Sequence, residues 1–214
     1  MTGKSSTPGK FITLEGGEGA GKSTQARLLA AHLQSTGIKA LVTREPGGSP
    51  YGEKIRDLIL AERPVAPETE FLLFAAARCE HLAAVIRPAL LRGEWIVCDR
   101  FIDSTRVYQG RLLGIEPRLI AAIEECTVAP SYPDLTLILD VPAEIGAERA
   151  RQRGDANRYD SERLETHQLL RAGFLDIARL EPLRCAVIEG AAPVEEVDRA
   201  IWSAVSARLL EANR

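Results

Sequence analysis

A glycine-rich octapeptide carries the clearest chemical signal in this chain. Gly16-Gly17-Glu18-Gly19-Ala20-Gly21-Lys22-Ser23 matches the spacing G-x-x-x-x-G-K-[ST] and is followed by Thr24. Where side chains are absent, backbone N–H groups can surround a phosphate chain, and the N-terminus of a following helix adds its positive dipole end. Lys22 can then reach the outer phosphates, and the Ser23 hydroxyl can ligate Mg²⁺. The octapeptide and Thr24 therefore predict a nucleotide phosphate site, whereas a simple chain-reversing turn is the alternative.

A second candidate group is Asp99 with Arg100, directly after the apolar run at residues 95–98. An acidic residue at the carboxyl end of a strand that faces a phosphate loop can hold Mg²⁺ or its waters. Taken alone, the pair would also fit an aspartate at a helix start followed by a surface arginine. Beside the phosphate loop the metal role is favoured, so Ser23 and Asp99 are the predicted Mg²⁺ ligands.

The elements that would position these groups alternate along the chain. Apolar runs occur at residues 11–14, 40–43, 95–98, 135–141 and 185–188, each followed by polar or glycine-containing sequence and a helical period. Near-continuous apolar runs are typical of strands buried on both faces, and their alternation with helices indicates a parallel sheet covered on both sides. The sequence predicts an α/β fold of three αβα layers around a five-stranded parallel sheet.

Helical periodicity is clearest at residues 22–36, 67–91 and 194–205. Pro88 is predicted to kink the second of these helices, and Pro193 is predicted to occupy the first turn of the third. Residues 44–50 and 149–163 lack a period. Because ligands of open α/β sheets bind outside the carboxyl ends of the strands, both aperiodic segments are candidates for the site edge.

Composition limits the class of protein. The chain has 214 residues, 45% of them hydrophobic and 27% charged, and a formal net charge of −3. This balance is typical of one globular domain, predicted over residues 11–214, and it leaves no global basic surface for nucleic acid. A small anion is the favoured partner, and neither a nucleic acid nor a membrane is predicted.

The amino end and the cysteines indicate a cytoplasmic protein. Residues 1–10 are polar and contain no apolar segment, so they are predicted to form a loose tail rather than a signal peptide or a membrane span. The four cysteines are scattered without a C-x-x-C pair, which favours reduced thiols.

Five motifs, in this order, resemble those of the bacterial thymidylate kinases. They are the octapeptide, Thr43-Arg44-Glu45-Pro46-Gly47-Gly48, Leu73-Phe74-Ala75-Ala76-Ala77-Arg78, Asp99-Arg100-Phe101 and Ser104-Thr105-Arg106-Val107-Tyr108-Gln109-Gly110. The resemblance implies a P-loop kinase fold with a mobile lid, ATP and Mg²⁺ as cofactors, and dTMP as the acceptor that becomes dTDP. It also implies a homodimer.

The family's acceptor residues carry over where the motifs match. Glu18 is similar to the family's acidic residue near the acceptor's sugar and phosphate, and Arg78 and Arg100 resemble the pair that grips this phosphate. Phe74 lies four residues before Arg78 and resembles a phenylalanine that stacks on thymine. From the pattern alone, core packing fits Phe74 equally well, and a solvated helix position fits Arg78.

Further positions in the same pocket follow from the resemblance. Thr105 and Gln109, four residues apart, can present two polar groups to a base edge, although surface positions would also fit them. Tyr108 resembles the residue that crowds the sugar and disfavours a ribose 2′-OH. Arg56 and Glu45 match positions that line the pocket.

Residues 149–163 resemble the lid in which the family places a transition-state arginine when the phosphate loop lacks one. Gly19 stands where some relatives have arginine, so Arg153 and Arg158 are predicted to join Lys22 and Arg100 in catalysis. A solvated charge run is the alternative for the lid arginines.

Two other functions remain in competition with the first. Another nucleoside monophosphate kinase would share the same core. A regulatory GTPase switch would need a guanine-reading Asn-Lys-x-Asp segment, which does not occur in this chain.

Overall fold

The predicted strands form one sheet. The computed structural model describes residues 8–61, 65–152, 159 and 162–211 of the chain. The strands are β1 (Phe11–Glu15), β2 (Ala40–Arg44), β3 (Trp95–Asp99), β4 (Leu135–Asp140) and β5 (Cys185–Glu189). All five predicted strands are confirmed, with ends that differ by one residue from the apolar runs.

The sheet is parallel throughout, in the order β2-β3-β1-β4-β5. The central strand β1 lies between β3 and β4, so the chain segments that leave β1 and β3 start side by side at the carboxyl edge. This is the edge at which open α/β sheets bind ligands. The phosphate loop and Asp99 both lie there.

Helices cover both faces of the sheet. They are α1 (Lys22–Ser35), α2 (Pro50–Ile59), α3 (Pro67–His81), α4 (Arg87–Leu91), α5 (Ile102–Thr105), α6 (Pro117–Thr127), α7 (Ala143–Gln152), α8 (Leu164–Leu180) and α9 (Val194–Val205). Wider π-helical turns occupy Leu82–Ile86, Arg106–Leu112 and Ser206–Leu210.

Side chains of β1 illustrate how the sheet is sandwiched. Ile12 and Leu14 belong to a buried cluster with apolar residues of α1 and α9, whereas Phe11 packs with Leu82 and Ile86 in a separate cluster. Because successive strand residues point to opposite faces, each face of the sheet has its own apolar core. The predicted three-layer αβα architecture is confirmed.

The prediction for Pro193 is wrong, whereas the structure adds detail to the one for Pro88. Pro193 does not lie in the first turn of α9, because its backbone is extended (ψ 147°) and it precedes the first helical residue as the N-cap. At the predicted Pro88 kink, the π-helical turn Leu82–Ile86 lies directly before α4, and the Arg87 N–H donates to the Leu82 carbonyl. Since proline has no N–H, a wider turn at this point accommodates the missing α-helical bond.

The prediction of an aperiodic segment at residues 149–163 is wrong for its first four residues. Residues 149–152 form the end of α7, in which Ala143, Gly146 and Ala150 are buried at helical spacing. The buried stripe consists of small residues, so the surrounding charges dominated the sequence pattern. Arg153 and Arg158 lie outside the described residues.

The predicted tail is attached at its last residues. The Gly9 N–H donates to the Leu90 carbonyl at 2.9 Å, and Lys10 Nζ donates to Asp134 at 3.0 Å. Residues 1–7 lie outside the described part, so a loose tail stays a prediction for them. None of the described helices is both long and apolar enough to cross a membrane.

Candidate active site

The phosphate loop connects β1 to α1 and folds around the Lys22 side chain. Lys22 is buried, and its Nζ donates to the carbonyls of Gly17 at 2.7 Å and Gly16 at 3.2 Å. Burial, followed by the nearby Arg100 charge, lowers the pKa of Lys22 to about 8. A polyphosphate in the loop would favour the charged form, because an opposite charge at close range raises the pKa of an amine.

Gly19 is required by the way the loop packs on α7. Its φ is +68°, and a Cβ atom at this position would lie 2.0 Å from the Gly146 carbonyl oxygen. Any side chain at Gly19 would therefore push the loop away from α7. An arginine at this position would therefore not fit the observed packing of the loop on α7.

Ser23 and Asp99 meet as the sequence predicted. The Ser23 hydroxyl, in the first turn of α1, donates a hydrogen bond to the Asp99 carboxylate at the end of β3. Hydroxyl and carboxylate oxygens are the ligands that Mg²⁺ prefers, and this cation usually contacts few protein groups beside substrate phosphates. The donor set therefore fits Mg²⁺.

Arg100 has a strained backbone that aims its side chain at the loop. Its φ is +71°, and among the described residues it is the only non-glycine with a positive φ. The Arg100 guanidinium donates to Glu18 Oε1 at 2.7 Å and to the Gly16 carbonyl at 3.2 Å. Burial alone would lower the pKa of Arg100, but the carboxylate of Glu18 raises it above the ordinary value, so the guanidinium is charged.

Buried Glu15 holds the turn in which Arg100 lies. The Phe101 N–H donates to Glu15 Oε1 at 2.7 Å, and the Ser104 hydroxyl donates to Glu15 Oε2 at the same distance. Left-handed backbone costs a non-glycine residue about 1–2 kcal/mol and persists only where its surroundings enforce it. Glu15 supplies two of the enforcing contacts.

Two cavities adjoin at this edge of the sheet. One is the phosphate chamber, which is lined by residues 18–24 together with Arg27, Arg44, Glu45, Arg56, Asp99, Arg100 and Arg149. The other is the acceptor pocket, which is lined by Glu18, Glu45, Pro46, Arg56, Leu60, Phe74, Arg100, Ser104, Tyr108, Gln109 and Tyr159. Glu18, Glu45, Arg56 and Arg100 line both cavities and mark the boundary between them.

Phe74 lies in a pocket wall rather than in the core, and its stacking on a base stays a prediction. Phe74 is half-buried and lines the acceptor pocket, whereas Phe71, one turn earlier on α3, is buried in the core. The core-packing alternative is therefore wrong for Phe74. An aromatic side chain in the pocket wall is available to stack on a planar ligand.

Tyr108 and Gln109 also line the pocket and are both buried. The Tyr108 hydroxyl donates to Glu18 Oε1 at 2.9 Å, and Gln109 Nε2 donates to Glu70 Oε1 at the same distance. The alternative of a surface position is wrong for Gln109.

Arg78 and Thr105 lie beside the pocket rather than in its lining. Arg78 is only 3% exposed, so a solvated position is wrong for it. Its Nε donates to Glu45 at 2.7 Å, and Nη2 donates to the Thr105 hydroxyl at 2.9 Å. Direct contact of either side chain with the acceptor stays a prediction.

A third cavity on the other side of the phosphate loop was missed by the sequence reasoning. Gly19, Thr24, Gln25 and Arg149 line it together with residues 190–194. Arg149 donates to the carbonyls of Gly190 at 2.9 Å and Ala191 at 3.1 Å. Residues 190–194 follow β5 at the carboxyl edge, so the strand-end rule could have identified them.

These features define a P-loop nucleotide kinase, since a phosphate loop beside oxygen groups that fit Mg²⁺ opens onto a second pocket that can hold an acceptor. A sequence model of the family described as thymidylate kinase matches residues 14–201. The chain belongs to the thymidylate kinase family.

Individual relatives align with this chain over nearly its whole length. The chain is 51% identical to the thymidylate kinase of Rhodopseudomonas palustris strain TIE-1 over 212 residues, covering 96% of this chain and 92% of the relative. It is 53% identical to that of Caulobacter vibrioides over 205 residues, covering 95% and 99%. The crystal structure of thymidylate kinase from Ehrlichia chaffeensis superposes with a TM-score of 0.75 at 35% identity, covering 92% of this chain and 99% of that one.

Proposed function

We propose that the chain transfers the γ-phosphoryl group of ATP to the 5′-phosphate of dTMP, giving dTDP and ADP. The observation that carries this proposal is the boundary between the two cavities. Four side chains there, Glu18, Glu45, Arg56 and Arg100, face the phosphate chamber and the acceptor pocket at once. A phosphoryl group that crosses this boundary passes between two bound nucleotides and is not released to water.

The reaction needs alignment and charge neutralisation rather than a strong base. An oxygen of the dTMP phosphate forms a bond to the γ-phosphorus while the bond to the β–γ bridging oxygen breaks, and that oxygen leaves with ADP. Because the acceptor phosphate is already an anionic nucleophile, catalysis rests on positioning and on positive charge. Lys22 supplies this charge from the phosphate loop, and Arg56 and Arg100 supply it from the boundary.

Ser23 and Asp99 are the residues that would hold Mg²⁺, and the bound cation would supply neutralising charge to the donor phosphates. Arg153 and Arg158 lie outside the described residues, and we keep them as proposed contributors to the same neutralisation.

Within the acceptor pocket, we assign the base to the Phe74 and Gln109 side and the phosphate to Arg100 with Arg56. Both arginines line the pocket. Arg78, which is bonded to Glu45 and Thr105, positions Glu45 in this assignment, and its contact with the acceptor phosphate stays a prediction. We assign the donor base to the cavity beside Arg149 and residues 190–194, which shares Gly19 and Thr24 with the phosphate chamber.

An ADP-release assay with ATP and Mg²⁺ tests the proposal across dTMP, dUMP, dCMP and dGMP. We expect dTMP to give the highest kcat/KM. Equal or greater values with dCMP or dGMP would indicate another nucleoside monophosphate kinase. Slow hydrolysis of the triphosphate that dTMP does not accelerate would instead favour a regulatory switch.

Replacing Phe74 with alanine is expected to raise the KM for dTMP while the melting temperature falls only slightly. The ring is half-buried in the pocket wall, so its removal costs stacking rather than core packing. Phe71→Ala is the matched control, because a fully buried phenylalanine on the same helix contributes about 3–5 kcal/mol to stability. A thermal melt and a dTMP titration of both variants check this expectation. A large loss of stability in Phe74→Ala without a change in KM would contradict the pocket assignment.

We also propose that the enzyme is a homodimer that acts in the cytoplasm. α3 packs on α2 and α6, yet its free side carries the exposed residues Leu72 (52% exposed), Ala76 and Cys79 at helical spacing. An exposed apolar stripe of this kind is suited to a second copy of the chain. All four cysteines lie within the described residues as free thiols, which suits a reducing compartment.

Ala76→Arg is expected to convert this dimer to a monomer, because a charged side chain would be buried at the centre of the stripe. Light scattering coupled to size exclusion should then give the mass of one 23.3 kDa chain instead of two. Ala207→Arg, at an exposed position after α9, is the matched control that should stay dimeric. A monomeric unmodified protein would refute the dimer without touching the proposed reaction.

A further inference from the structure

We propose that Glu70 determines base specificity by orienting the Gln109 amide, so that the amide presents its carbonyl oxygen to the acceptor's base. Glu70 is a positioning residue in this proposal, and Gln109 is the group that touches the base. The proposal rests on the proposed function, because it deepens the assignment of the acceptor pocket.

The contact between the two side chains is buried and specific. Glu70 on α3 is 3% exposed, and Gln109 is 1% exposed. Gln109 Nε2 lies 2.9 Å from Glu70 Oε1, and the Tyr159 hydroxyl donates to the same oxygen at 2.8 Å. Gln109 lines the acceptor pocket together with Phe74, whereas Glu70 is not part of the lining. Glu70 can therefore act on a bound base only through its neighbours.

The chemistry of the two groups selects one orientation of the amide. A carboxylate only accepts hydrogen bonds, whereas an amide side chain has a donor end and an acceptor end. With the NH₂ end of Gln109 facing Glu70, the carbonyl end is the one left for a ligand. The flipped amide would place its oxygen against the carboxylate, and two acceptors in a buried site repel each other without a shared proton.

An acceptor in the pocket wall distinguishes pyrimidine bases by their N3 position. Thymine and uracil carry a hydrogen on N3 and can donate to the Gln109 oxygen. Cytosine has an unprotonated N3, which is itself an acceptor, so its binding would leave two acceptors facing each other. Glu70 thus acts against cytosine, and it does not contribute to the choice between thymine and uracil.

Glu70→Gln is the direct test, because glutamine has nearly the same shape but can offer either a donor or an acceptor to Gln109. The amide of Gln109 is then free to flip. We expect the ratio of kcat/KM for dTMP to that for dCMP to fall by about 5- to 10-fold, the size of one hydrogen bond. The ratio of kcat/KM for dTMP to that for dUMP should stay unchanged. Glu68→Gln, an exposed position on the same helix, is the matched control that should change neither ratio.

A ratio of two substrates on one preparation does not depend on how much of the protein is folded, so partial unfolding cannot imitate the effect. Glu70→Asp, which keeps a carboxylate, should retain more of the preference for dTMP than Glu70→Gln does. In a Gln109→Leu background, Glu70→Gln should leave the dTMP-to-dCMP ratio unchanged. A shift of the ratio in that background, or a common loss of rate with all three acceptors in Glu70→Gln, would overturn the proposal.

The proposed function and the role of Glu70 can be disproved separately. If the unmodified protein does not turn over dTMP, the proposed function itself is wrong. If it turns over dTMP and Glu70→Gln keeps the discrimination against dCMP, only the role of Glu70 is wrong.

Discussion

Replacing Lys22 with alanine is expected to lower kcat for dTDP formation by at least about 10²-fold, the usual cost of one electrostatic donor at a transition state. The Lys22 ammonium is buried in the phosphate loop, where its contacts are the carbonyls of Gly16 and Gly17. Because Lys22 forms no ion pair with any residue that the structure describes, it can bind phosphate oxygens without breaking one there. An initial-rate assay at saturating ATP and dTMP measures the effect.

Stability should change little in Lys22→Ala, because the lost hydrogen bonds go to a loop that lines an open chamber. A thermal melt within a few degrees of the unmodified protein would separate lost chemistry from lost folding. Lys39→Ala, at an exposed position before β2, is the matched control and should keep full activity. Near-normal turnover in Lys22→Ala would remove the phosphate loop from the mechanism.

Replacing Arg100 is expected to lower kcat/KM for dTMP by about 10²–10³-fold. The guanidinium is held by Glu18 at 2.7 Å on the boundary between the two cavities. Without it, the Glu18 carboxylate loses the positive charge of Arg100 beside the acceptor phosphate, so the loss includes stronger repulsion between two anions. Varying dTMP at saturating ATP measures the change.

Two variants at this position separate chemistry from backbone strain. Arg100→Ala and Arg100→Gly both remove the guanidinium, so both should lose the same activity. Glycine accepts the φ of +71° without the cost of about 1–2 kcal/mol that alanine bears there, so the glycine variant should melt at the higher temperature. Arg118→Ala, an exposed position on α6, is the control for loss of an arginine. Activity retained in Arg100→Gly would contradict the role of the guanidinium.

The strands and the phosphate loop could be predicted from the sequence because their signals are local. A run such as residues 95–98 is apolar at every position, which is typical of a strand buried on both faces of a parallel sheet. The pairing of Ser23 with Asp99 followed from the same logic, since parallel strands deliver their carboxyl ends to one edge.

The sequence did not predict the structure where its hydrophobic pattern was weak, or where contacts with distant segments decided the position of a side chain. The end of α7 gives no periodic signal because its buried stripe consists of alanine and glycine, which contribute little to a hydrophobic pattern. The sequence allowed two positions for Arg78, one solvated and one in contact with the acceptor phosphate. It did not predict the ion pair between Arg78 and Glu45. That pair joins α3 to the end of β2, so it depends on how distant segments pack.

The sequence by itself determined the alternation of strands and helices along the chain, the phosphate loop and the kinds of side chain at the carboxyl edge of the sheet. These features depend on backbone preference and apolar periodicity, which act over a few residues. The tertiary structure alone decided that Phe74 faces the pocket while Phe71 enters the core, that Gly19 must pack on Gly146, and that Glu70 meets Gln109. Each of these facts depends on the position of one element against another. Such contacts join residues far apart along the chain, so no local pattern of spacing encodes them.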